Sequence, residues 1–359
     1  MRTTIMEVSI KSFNNNINEI KKYVSDKKII PVIKANAYGT YINKRLDVIN
    51  NFDIVAVAKV SEAIELRELG YEKEIFLLNQ PSILEIEDIL KNNVTVGVSS
   101  LDFLNIVIEQ NFKMKIHLEI ETGMNRTGIK IKDINNFVDI LKNNNNIHLD
   151  GVYTHFSCAD DDVKYTNKQI ELFKEAVNII KNNFSLTYIH SSASNGLLNY
   201  DDGVSNAVRP GIIMYGYESF NGANNLINLE PVCKLKTIIT FLKEIEENES
   251  ISYGRSFISD KRMTIATIPI GYADGLRRSL SNKGFVVIKG KKCPIVGKIC
   301  MDSTMVDVSE VKDVELGEEV FIFDNNLITL DDIADLSDTI NYEILSNISY
   351  RVSRIFIDE

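Results

Sequence analysis

Two textures alternate along the first two thirds of the chain. Short apolar runs are separated by longer stretches with apolar residues at i, i+3, i+4 and i+7. The short runs predict eight strands: Ile29 to Lys34, Asp53 to Ala58, Glu74 to Asn79, Thr95 to Ser99, Lys115 to Glu121, Leu149 to Phe156, Leu186 to Ser192 and Ala207 to Tyr215. Between most of them, SEAIELRELG, SILEIEDILKNN, KDINNFVDILKNN and TNKQIELFKEAVNIIKNN carry helical periodicity. Many of these stretches stop at Gly, Asn or Lys, residues that favour helix C-termini.

Strands buried on both faces and separated by helices form parallel β/α units. Eight units in series predict an α/β chain with an N-terminal (β/α)8 TIM-type barrel over residues 11–230. After about Leu229 the runs become short and β-rich, as in KLKTIITFL, MTIATIPIG, GFVVIKG, KCPIVGKIC, TMVDVS and EVFIFD, with Gly, Asp and Asn between them. They predict a smaller, mostly-β C-terminal domain over residues 231–359, closed by helical patterns around LDDIADL and INYEILSNI and a last strand in SYRVSRIFID. The opening MRTTIMEVSI, residues 1–10, reads as a strand belonging to either domain.

A chain of 359 residues exceeds the size at which one core stops growing, which supports two domains. A net charge of -10 argues against nucleic-acid or anionic-membrane binding, which needs clustered cations, and favours a small-molecule partner. No apolar stretch is long enough to span a bilayer, and the N-terminus shows no apolar leader, so the cytoplasm is expected. Cys158, Cys233, Cys293 and Cys300 are dispersed and the four histidines form no ligand motif, so reduced thiols and no metal site are expected.

In a barrel of this type chemistry gathers at the C-terminal ends of the strands. Polar residues there are Lys34 after PVI, Glu119 and Arg126 in HLEIETGMNRTG, His155 in GVYTHF, Ser194 in HSSASNG and Arg209 in NAVRPG. A partly desolvated Lys34 would lose proton affinity, and a neutral amine is the nucleophilic form. Singly, Arg126 also reads as a surface ion-pair partner, His155 as a core residue and Ser194 as a helix cap. Their recurrence at successive strand ends favours one shared site.

The motifs VIKANAYG, ETGMNRTG, GVYTHF, VRPGIIMYG, ISYG, IGYADGLRR, GKICMD and TINYEILSNISYRVSR give the chain an end-to-end resemblance to the alanine racemase family. That resemblance implies an enzyme that interconverts L- and D-alanine with pyridoxal 5'-phosphate, using two bases, and serves cell-wall synthesis. Lys34 would carry the cofactor and Tyr253 would be the second base. Tyr38, Ser194, Tyr350 and the backbone of Gly211 and Ile212 would bind the phosphate, His155 would lie against the ring, and Arg209 would face its nitrogen. Arg126 would reach the substrate carboxylate. Tyr253 and Met301 would come from the partner in a head-to-tail homodimer with shared sites, with Tyr272 and Asp302 at the entrance.

Three departures from the family pattern stand out. Glu119 occupies the place of a lysine that is carbamylated in many members, and is expected to pair directly with Arg126. Thr40 and Tyr41 replace the usual His-Gly after AYG. Ala193, Ser194 and Asn195 stand where an Asn-Ser pair is common, and ASNGLLNY is similar to racemases with serine activity. Alternatives are therefore a serine or broader-specificity racemase, a decarboxylase of the same fold using a cysteine near Cys300, and a cofactor-binding protein without turnover.

Overall fold

The computed structural model describes residues 3–218 and 225–358. The chain gathers into two compact units, one made of Asn14–Ala37 and Ile42–Leu229, the other of Met1–Phe13, Tyr38–Tyr41 and Glu230–Glu359.

The first unit is built on eight parallel strands: β1 Lys28–Ile29, β2 Ile54–Val57, β3 Glu74–Leu77, β4 Thr95–Val98, β5 Met114–Glu121, β6 Ile147–Tyr153, β7 Tyr188–His190 and β8 Ala207–Val208. Parallel ladders join β2 to β7 in chain order and pair β8 with β1. Two seams complete the ring. Ala56 donates to Pro31 O at 2.8 Å and Ile33 to Ala56 O at 2.9 Å, while Asn206 donates to Ile189 O at 3.0 Å and Arg209 to Ser192 O at 2.9 Å.

All eight expected strands are present, the first and last shortened. The run expected from Ile29 to Lys34 keeps a two-residue ladder and a bridge at Val32, and that from Ala207 to Tyr215 gives way to a 3-10 helix at Ile212–Tyr215. Pro31 and Pro210 lack the N–H that a continued ladder needs.

The helices between strands follow the apolar periodicity. In Val163–Lys181 the buried Ile170, Phe173, Val177 and Ile180 form one stripe, and Asp162 caps the start by accepting from Tyr165 N at 2.9 Å. The helices ending at Lys91, Lys142 and Lys181 have Asn92, Asn143 and Asn182 as C-caps.

The second unit holds a six-stranded mixed sheet in the order Lys291–Pro294, Phe285–Ile288, Glu319–Phe323, Cys233–Ile238, Ile5–Ser9, Ser353–Ile357. Ile5–Ser9 pairs antiparallel with Cys233–Ile238 and parallel with Ser353–Ile357, so the opening segment is a strand of this sheet. A three-stranded antiparallel sheet of Phe241–Ile245, Met263–Ile268 and Thr304–Asp307 packs Ile245, Met263, Ile265 and Val296 into a separate core. Helices Leu330–Leu336 and Asn341–Ser346 precede the last strand. Among the described residues no helix is long and apolar enough to cross a membrane.

Candidate active site

Lys34 stands where the first barrel segment ends, and the backbone then turns the wrong way for L-residues. Ala35, Asn36, Ala37 and Tyr38 all lie in the left-handed region, with φ of 54°, 53°, 52° and 56°. Each such residue costs roughly 1–2 kcal/mol, and strain of this kind persists only where surrounding contacts enforce it. One contact is Glu62, whose Oε1 accepts from Ala35 N at 2.7 Å while Oε2 accepts from Ala58 N at 2.8 Å and Lys59 N at 3.1 Å. Burial, then the nearby Arg126 charge, lowers the proton affinity of Lys34. Its amine is thereby biased toward the neutral, nucleophilic form.

Arg209 is buried, at 2% exposure. Its Nη1 donates to His190 O and His190 Nδ1, both at 2.7 Å, and its Nη2 donates to Thr154 O at 2.7 Å and Ser191 O at 2.9 Å. His155 Nδ1 is 3.4 Å from Nη2. Burial, followed by the charges of Arg209, Arg126 and Lys34, pushes His155 down to about 3, so its imidazole is neutral. Burial also pushes Arg209 down to about 10, which leaves it a cation at neutral pH. Tyr153 meets Arg209 as a cation–π pair at 5.6 Å, and burial and Glu119 push its hydroxyl upward.

Ser194 opens the helix Ser194–Asn199 and its Oγ accepts from Gly211 N at 3.0 Å. Gly211 leads into the 3-10 helix that starts at Ile212. These three residues, expected to share a function, are neighbours here.

The expected pair between Glu119 and Arg126 does not form. Glu119 is buried near the end of β5 and its Oε2 accepts from Ser99 Oγ at 2.6 Å. Arg126 lies beyond the strand end on an exposed turn, and no ion pair joins the two among the described residues. The turn is fixed by Glu121, whose carboxylate accepts from Gly123 N and, at 2.7 Å, from Asn125 N.

The second unit collects the other expected residues on connected loops. Tyr272 N donates to Cys300 O and Ala273 N to Met301 O, each at 3.0 Å. A Cβ on Gly271 would lie 2.3 Å from both carbonyl oxygens, so only glycine permits this approach. Ser252, next to Tyr253, donates to Lys298 O at 2.5 Å. Arg351 bridges Asp302 at 2.7 Å and Asp274 at 3.2 Å beside Tyr350. Tyr253, Tyr350, Met301 and Tyr272 are 68%, 82%, 52% and 43% exposed. Tyr38 belongs to this unit, with its ring 6.0 Å from that of Tyr342, and burial raises its hydroxyl pKa.

Reading the sequence alone misses Glu62 and His190. Glu62 sits at the third position of the helix Val60–Glu68, where an acid commonly caps, and His190 ends β7 as Lys34 ends its own run. His117 is also missed, although it precedes Glu119 by two residues and so shares its strand face.

Fold and site together define a class: a β/α barrel with a lysine of lowered proton affinity and a buried arginine near the strand ends, accompanied by a β domain that displays exposed tyrosines. Residues 8–219 match the family described as "Alanine racemase, N-terminal domain" and residues 232–356 that described as "Alanine racemase, C-terminal domain". The chain belongs to the alanine racemase family. It is 39% identical to "Alanine racemase 2" of Caldanaerobacter subterraneus subsp. tengcongensis, covering 99% of this chain and 95% of the relative. It is 37% identical to an alanine racemase of Halothermothrix orenii, covering 98% and 96%. The alanine racemase of Bacillus anthracis, solved with bound L-Ala-P, superposes with a TM-score of 0.92 at 33% identity over 100% of this chain and 96% of that one.

Proposed function

We propose that this chain is a pyridoxal 5'-phosphate-dependent racemase that interconverts L-alanine and D-alanine. The observation that carries the reading is Lys34, a strand-end lysine whose proton affinity is lowered by burial and by Arg126. Full-length similarity to alanine racemases supports the substrate.

The donor set fits the cofactor. The Lys34 amine would hold it, Arg209 would face its ring nitrogen, His155 would flank the ring, and Ser194, Tyr38, Tyr350 and the backbone of Gly211 and Ile212 would take the phosphate. When bound, the cofactor supplies the electron-withdrawing conjugation that acidifies the Cα–H of an amino acid. Arg209 is held as a cation by four hydrogen bonds, so it can donate to the ring nitrogen without surrendering a proton. His155, neutral at pH 7, adds no competing positive charge.

Racemisation requires a base on each face of Cα. Lys34 would serve the face that exchanges the proton of the D enantiomer and Tyr253 that of the L enantiomer, while Arg126 binds the carboxylate. Tyr253 and Met301 would be presented to the barrel of a second copy, with Tyr272 and Asp302 at the entrance, in a head-to-tail homodimer. Their exposure supports this assignment. The cytoplasm, with D-alanine supplied for cell-wall synthesis, is the proposed setting.

Chiral analysis after incubation with a panel of L-amino acids tests the proposal, alongside borohydride bleaching of the cofactor colour. D-alanine formation that disappears in Lys34→Ala and Tyr253→Phe is expected. Carbon dioxide release, or turnover of L-serine without L-alanine, would overturn it.

A further inference from the structure

Beneath Arg209 the barrel interior carries polar groups where such cores usually carry aliphatic ones. His190 Nε2 is 2.9 Å from His117 Nδ1, and both rings are fully buried. His117 Nε2 faces Asp150 Oδ2 at 3.9 Å, an electrostatic contact longer than a direct hydrogen bond, and neither buried atom has a hydrogen-bond partner. From Arg209 at the strand ends, the line of groups descends through β7 and β5 to the floor of the barrel.

Donor chemistry gives this line one direction. A guanidinium only donates, so His190 Nδ1 must be unprotonated where Arg209 Nη1 meets it at 2.7 Å. A neutral His190 then carries its hydrogen on Nε2 and donates to His117 Nδ1. His117 in turn carries its hydrogen on Nε2, aimed at the Asp150 carboxylate. Burial holds both imidazoles neutral by lowering their proton affinity. Every ring thus turns its lone pair toward the arginine and its N–H toward the carboxylate.

The backbone is shaped for this arrangement. The β5–β6 register shifts between Ile116 and His117, pairing Ile116 with Leu149 and His117 with Gly151, so Asp150 is the extra, bulged residue. A Cβ at Gly151 would lie 2.7 Å from His117 Cδ2, so glycine makes the ring's place possible. Phe76 packs on His117 with centroids 4.3 Å apart, and Tyr153 stacks on His190 at 5.2 Å and 6°. Thr187 Oγ1 donates to Asp150 Oδ1 at 2.6 Å, fixing the other carboxylate oxygen.

Glu74, His117 and Asp150 also have the composition of a cation site. Lys115 already answers their charge, with Nζ 3.4 Å from Glu74 Oε2 and 3.7 Å from Asp150 Oδ2. The cluster therefore reads as the anchored end of the chain of imidazoles.

We propose that Asp150, His117 and His190 form a directional chain that locks the His190 tautomer and so orients Arg209, making His117 and Asp150 positioning residues for the cofactor contact. The proposal rests on Arg209 facing the cofactor ring, as read above. Without His117, His190 can move its hydrogen to Nδ1, where it would oppose the arginine N–H groups.

Nitrogen-15 NMR of histidine-labelled holoenzyme tests this directly, because the chain has only four histidines. The wild type is expected to show His117 and His190 as Nε2–H tautomers. His117→Phe should mix the His190 tautomers and lower kcat by roughly tenfold to a hundredfold, the scale of a mispositioned catalytic group, with a smaller change in KM. His117→Asn, which keeps an acceptor for His190, should restore the tautomer and most of kcat. Asp150→Asn should loosen the His117 tautomer and, through the His117–His190 contact, mix the His190 tautomers less than His117→Phe does. A wild-type His190 protonated on Nδ1 would overturn the chain. Mixed His190 tautomers with unchanged kcat would overturn the positioning role while leaving the site reading intact. Absence of racemisation by the wild type, measured in the same assay, would overturn the site reading on which the proposal rests.

Discussion

Glu62 Oε1 accepts the Ala35 N–H at 2.7 Å, tying the residue after Lys34 to the start of a neighbouring helix. Glu62→Ala removes the acceptor for three backbone N–H groups, those of Ala35, Ala58 and Lys59. A loss of roughly 2 kcal/mol is expected from hydrogen bonds to a charged acceptor. Urea unfolding should show it together with a fall in racemisation, because the strained turn carries Lys34. Glu62→Gln, which retains one acceptor oxygen, should fall between. Equal stability of wild type and Glu62→Ala would show that the turn is held by other contacts.

The buried Glu119 makes a different prediction from the ion pair expected of it. Its acceptor Oε2 is served by Ser99 at 2.6 Å, so Ser99→Ala leaves a buried carboxylate short of a donor. That should cost about 1–3 kcal/mol. Because the pair is lost in both, Glu119→Leu and Ser99→Ala should be less than additive in a double-mutant cycle. Full additivity in equilibrium unfolding would remove the coupling.

Tyr41 occupies a glycine-like conformation, φ 63°, and Arg354 lies over its ring at 4.6 Å. Tyr41→Gly relieves strain and loses a cation–π contact, each about 1 kcal/mol, so its net effect on stability should be near zero. Arg354→Met should instead destabilise by roughly 3 kcal/mol or more, since the guanidinium serves the carbonyls of Gly39, Ser349, Val352 and Ile348. Thermal melts of the two variants provide the comparison.

Acid should destabilise the fold before carboxylates titrate. His117 and His190 are buried and neutral, with proton affinity lowered by burial, while in the unfolded chain they titrate near 6.5. Below that pH the unfolded state binds more protons than the fold, so stability falls as pH falls. Each group contributes up to about 1.4 kcal/mol per pH unit. His155 adds to the same slope until the pH approaches about 3. Urea midpoints measured from pH 8 to 5 should be flat above 7 and decline below 6.5. His117→Asn should reduce the slope, whereas a midpoint that does not move between pH 7 and 5 would refute the account.

Local pattern alone determined the eight barrel strands, the amphipathic helices with their Asn caps and the change to a β-rich second half, because burial imposes a period of two or 3.6 on the residues that face a core. It also exposed Lys34, Glu119, His155, Ser194 and Arg209, since chemistry at strand ends follows directly from strand boundaries. Contacts between distant segments decided the rest. The left-handed turn meets Glu62, 27 residues beyond Ala35, and the partner of Glu119 is Ser99, just past the end of the adjacent strand. Asp150 reaches the interior only through a one-residue register shift, which side-chain periodicity within a single strand does not encode. His117 and His190 are 73 residues apart and become one hydrogen-bonded pair when the ring closes. The sequence therefore specifies which face each side chain takes, while pairing between strands selects the atom it meets there.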